Sequence, residues 1–63
     1  MNSTRAFELI DSYDPKDCMA LLFVYAPDLH AQVADLARSG ADAHTILSAA
    51  RDRVKQAYLR EDN

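Results

Sequence analysis

Few residues in this chain are of a type that does chemistry. Cys18, His30 and an aspartate could supply a nucleophile, a base and an orienting acid. Cys18, however, sits inside an unbroken apolar run of nine residues, Cys18–Ala26, "CMALLFVYA". A thiol in such surroundings stays protonated and unreactive. A chain of 63 residues is also short for building a walled cleft with a supporting shell. We therefore expect no enzyme and no catalytic residue. Closed zinc sites need three or four Cys or His ligands at tight spacing. Here Cys18, His30 and His44 lie far apart, with no Cys-x-x-Cys or His-x-x-x-His. No metal or cofactor is expected, and both histidines read as exposed or internally satisfied. The lone glycine of "RSGAD", Gly40, reads as a helix stop rather than a phosphate-binding loop.

A second chemistry to weigh is nucleic-acid binding. Residues 29–58 have the outline of a helix-turn-helix, with Gln32, Gly40 and Ile46 at plausible positions. Leu36 stands where a small residue usually lets the two helices approach, with Ala37 next to it. The recognition helix would open Asp42-Ala43-His44-Thr45, without a cation to meet phosphates or guanine edges. Arg51, Arg53 and Lys55 come towards its far end, and the pI is about 5.0, so the usual electrostatic footprint is missing. A DNA-binding regulator is the alternative reading, and nucleic acid is not the expected partner.

The elements that position these residues follow from composition and punctuation. The chain is 49% hydrophobic and 27% charged, with one glycine and two prolines. That describes a globular chain and argues against a turn-rich all-β fold. We expect one domain over residues 1–63, an all-α compact bundle of three to four short helices, the fourth the longest. The first helix runs from Ser3 or Thr4, either of which can cap it, to about Ser12. Ala6, Leu9, Ile10 and Tyr13 form its stripe. The second opens at "DPKD", with Asp14 as N-cap, Pro15 at the first position and Asp17 in the first turn. It ends near Tyr25, because Pro27 drives Ala26 out of the α region. A buried strand competes for "MALLFVYA", but no partner strand is in sight. The third helix carries Leu29, Val33, Leu36 and Ala37 and stops at Gly40. The fourth starts from Asp42 and lines up Ala43, Ile46, Leu47, Ala50, Val54, Ala57 and Tyr58. It should pack along the second and third.

Charge is uneven. Residues 1–37 hold two Lys/Arg against six Asp/Glu, and residues 38–63 hold five against four. Complementary rims between the two halves are expected. The apolar run is far short of a bilayer span, and the amino terminus has no apolar core of signal-peptide length. We expect no membrane partner and a cytoplasmic, reducing setting. The basic-flanked stripe of the fourth helix resembles a membrane-surface helix in outline, but Ile46, Leu47 and Val54 are needed for the core.

The second helix is where periodicity fails. If Lys16 and Asp17 face water, Ala20, Phe23 and Val24 share their side. Cys18, Leu22 and Tyr25 then point inward, with Met19 and Leu21 on the flanks. An apolar patch on the solvent side is what a protein contact looks like; the alternative is that the first helix or the tail folds over it and makes the second helix core. Small folds usually need a disulfide, a metal or oligomerisation, and a single cysteine forbids the first within one chain. We expect a non-catalytic interaction module, a regulator or inhibitor that docks on a partner protein, pairs with a second copy as a homodimer, or both. The expected contacts are Ala20, Phe23 and Val24, with Tyr58 and Leu59 as a second edge and Arg51 and Lys55 as polar rim.

Overall fold

The computed structural model describes the backbone of residues 3–62 and the side chains of residues 4–60. Four helices follow one another, α1 (Ser3–Ile10), α2 (Pro15–Tyr25), α3 (Pro27–Arg38) and α4 (Ala43–Asp62), and no strand occurs among the described residues. The run "MALLFVY" is helix, and Ala26 after it is the cap. The start of α2 is fixed by Asp14, whose carboxylate accepts the Asp17 N–H at 2.8 Å, with Pro15 at the first position. Its end coincides with the start of α3. Ala26, at φ −149° and ψ 69°, donates its N–H to the Leu22 carbonyl at 2.8 Å. The Ala26 carbonyl accepts the N–H groups of Leu29 and His30, both at 3.0 Å. One residue thus closes one helix and opens the next, and the corner needs no loop.

The α3–α4 connection is set by Gly40 at φ +92°, a conformation that costs other residues more than glycine. Ala41 donates to the Leu36 carbonyl at 3.2 Å and Gly40 to the Ala37 carbonyl at 3.3 Å, the pairing of a Schellman stop. The Ser39 hydroxyl takes up part of the Leu36 carbonyl as well, at 2.8 Å. Asp42 then caps α4 by accepting the Thr45 N–H at 2.7 Å.

α1 is shorter than the stripe predicts. The chain tightens after Ile10, with Ser12 and Tyr13 donating to the carbonyls of Leu9 and Ile10, each at 3.0 Å. The Ser12 hydroxyl also bonds the Leu9 carbonyl at 2.6 Å, a local bond that competes with helix continuation. The cap expected at Ser3 lies outside the described side chains, and Thr4 lies exposed within the helix.

α4 is the platform. Its 20 residues extend about 30 Å, most of the 37 Å long axis. α2, α3 and α1 all contact α4, and α2 also contacts α3, whereas the backbone of α1 meets neither α2 nor α3. The core is Ile10, Cys18, Leu22, Ala26, Leu29, Val33, Ala50 and Val54. Each comes from the inward stripe of its helix, except Ala26 at the corner. The shortest dimension, 13 Å, is that of two helix layers at the usual 8–10 Å interaxial spacing. There is no third layer to cover the outside of α2.

Polar contacts join the two halves of the chain as their charges predict. Lys55 pairs with Asp11 at 2.7 Å, and Arg60 grips both carboxylate oxygens of Asp28 at 3.1 and 3.0 Å. Arg53 reaches the Gln32 side-chain oxygen at 3.1 Å. Arg51 donates from Nε and Nη2 to the Tyr13 carbonyl, at 2.9 and 2.7 Å, which ties the α1–α2 corner to α4.

Candidate interaction surface

Successive residues of a helix step round by 100°. With Cys18 and Leu22 buried against α3 and α4, Phe23, Ala20 and Val24 fall on the far side of α2. All three are exposed there, Phe23 and Val24 each to 67%. Met19 and Leu21 are half-buried flanks. Tyr25 departs from expectation. It stands 63% exposed, because the inward position would be closed only by a helix lying against that side of α2, and α1 does not approach it. Leu9, expected on the inward stripe of α1, is likewise 59% exposed. Phe7 packs on the core instead, its ring edge-on to Tyr58 at 6.2 Å and under the Lys55 ammonium at 5.6 Å. Ala37 and Ala43, at the ends of their stripes, are exposed.

Leu9 and Tyr25 stand at the two lips of an open groove of ≈ 330 Å³ between α1 and α2. Ile10, Leu22 and Val54 form its floor, and Tyr13, Leu21 and Tyr58 also line it; no charged side chain does. Going round α2, the apolar surface is continuous from Phe23 through Ala20, Val24 and Leu21 to Tyr25 and so into this groove. On the opposite border the Phe23 ring meets the His30 imidazole edge-on at 5.4 Å, which orients the ring while leaving most of it open. At the second edge, Tyr58 is half-buried against Phe7 and Leu59 is 45% exposed. Arg51 and Lys55 have their head groups occupied at Tyr13 and Asp11 within the fold, on the α1 side of α4 rather than beside Phe23.

Polar chemistry is thinly spread by comparison. Cys18 is fully buried, and burial pushes its thiol pKa up. A small hollow of ≈ 140 Å³ is bordered by Asp11, His44, Ser48, Arg51 and Asp52. Among the described residues no three His, Cys, Asp or Glu are grouped so as to hold a metal ion, and no described helix is long and apolar enough to cross a membrane. Comparison with protein-family models, curated proteins and solved structures finds no match to this chain.

Sequence reasoning found the Ala20–Phe23–Val24 face but not its continuation into the groove. Tyr25 and Leu9 had the right spacing for a core; only the splay of α1 away from α2 leaves them open, and no local pattern encodes that splay.

Proposed function

We propose that this chain is a non-catalytic helical module that works by docking on protein, in a cytoplasmic setting, and regulates or inhibits by occupying a surface that something else needs. The observation that carries the reading is the two-thirds exposure of Phe23 and Val24 on a helix whose other side, at Cys18 and Leu22, is packed into the core. Large apolar side chains gathered on one face are unusual on a monomer of this size and common at the centre of interfaces. Burying Phe23 alone in a partner contributes on the order of 2 kcal/mol. The cations of α4 bear on the alternative reading, DNA binding through residues 29–58. Arg51, Arg53, Lys55 and Arg60 already meet acceptors inside the chain, and the helix start, Ala43-His44-Thr45, holds no Lys or Arg.

The test compares the immobilised chain with its Phe23→Asp, Val24→Asp variant in capture from extract, with circular dichroism to check the fold. Capture lost in the folded variant supports the reading. Capture unchanged by the variant, or salt-sensitive binding to unspecific duplex DNA, overturns it.

A further inference from the structure

The α1–α2 groove adds the question of which protein covers this surface. We propose that the occupant is a second copy of this chain, the Phe23–Val24 ridge of each α2 entering the groove of the other about a two-fold axis, with Tyr25 at the groove's lip. The inference rests on the docking function proposed above and narrows it to one partner.

Three observations favour a second copy. The first is shape. A two-fold interface must be self-complementary, and this face presents a ridge, Phe23–Ala20–Val24, beside a groove, Leu9–Leu21–Tyr25. The second is area. Leu9, Phe23, Val24 and Tyr25 together present on the order of 400–500 Å² of apolar surface. That is close to the apolar share of one side of a standard interface, ~800 Å² per partner. The third is charge. The chain carries −3, so two copies repel weakly at long range and a neutral face lets them meet with least repulsion. The last two turns of α2 contain no ionisable group except the Tyr25 phenol, and the groove lining holds no charged side chain. Lys55 and Asp11, near the α1 end, neutralise each other. A strongly charged partner would find nothing complementary here, whereas a copy of the same neutral, Tyr-rich face does.

Sedimentation equilibrium of the purified full chain, from about 1 µM to about 1 mM, tests this. The expected result is a mass rising from one chain to two across the range. Val24→Asp and Tyr25→Asp, both at exposed positions, should hold the monomer mass throughout while keeping the helical circular dichroism. Gln56→Asp, on the exposed side of α4, should dimerise as the wild type does. A wild-type chain that stays monomeric over the whole range overturns the proposal without the help of any variant, as does dimerisation unchanged in Val24→Asp. Neither result touches the docking function itself, which is decided by whether the Phe23→Asp, Val24→Asp variant loses capture.

Discussion

Cys18 shows how surroundings override residue type. Its thiol is the one strong nucleophile in the chain, yet it packs at zero exposure among Leu22, Leu29 and Val33, where the charged form is penalised. A thiol held neutral and covered reacts only when the chain opens. Modification by an aromatic disulfide reagent should therefore be slow in buffer and should accelerate in step with unfolding across a urea series. Two carboxylates behave in the opposite sense. The Thr45 N–H holds the Asp42 carboxyl below the ordinary carboxylate range, and the Arg60 guanidinium does the same for Asp28. A depressed folded pKa means that the folded chain binds fewer protons than the unfolded one. Each contribution is whole above the unfolded value of about 3.9 and is lost as pH falls through the folded value. The urea midpoint should thus be level near neutrality and decline in acid. Asp42→Asn keeps a good cap but removes the titration, so it should match wild type at neutral pH and decline less in acid. The caps were legible because each depends on one residue and its next three neighbours.

Elements were legible where a stop or start is written locally. Asp14-Pro15 and Pro27 bound α2 within a residue, and Gly40 ends the α3 turn. Gly40 also isolates a backbone effect from a packing effect, because a Cβ built there meets nothing within 4 Å. Gly40→Ala should then cost only the positive-φ penalty, about 1–2 kcal/mol, and Gly40→Asn less. A lower urea midpoint at unchanged slope is the readout. What the pattern could not supply is the placement of α1, which depends on contacts 38 residues or more apart. The Tyr13 carbonyl is claimed by Arg51, and Phe7 leaves the solvent for Tyr58 and Lys55. Those contacts pull α1 onto α4 and away from α2, and so open the groove. Arg51→Met removes both bonds to the Tyr13 carbonyl while keeping an apolar stem. Losing a hydrogen bond from a charged donor at a half-buried site should cost about 1.5 kcal/mol. Hydrogen exchange should then quicken in α1 well before it does in α3.

At the scale of the whole molecule, a two-layer fold can bury only one side of each outer helix. The core it makes holds no aromatic ring, and three of its eight members are Ala or Cys. A chain of this length is expected to have roughly 3–9 kcal/mol of stability, so one core side chain is a large share of the whole. Leu22 and Phe23 put this to a direct comparison, since they are sequence neighbours of similar hydrophobicity, a quarter-turn or so apart on α2, one buried and the other 67% exposed. Leu22 is wholly buried, and Leu22→Ala removes contacts on every side. It should cost 2–5 kcal/mol, with the high end expected where surroundings cannot collapse into the space. Phe23→Ala gives up the edge contact with His30, worth about 0.5–1.5 kcal/mol, but gains helix propensity of about half a kcal/mol. In dilute solution, where pairing of chains contributes nothing, its net cost should stay under about 1 kcal/mol. Urea denaturation of the two variants at the same low concentration measures the difference. Equal losses would mean that the outside of α2 is as much a part of the fold as the inside, and the exposed face would then have no work left for a partner to do.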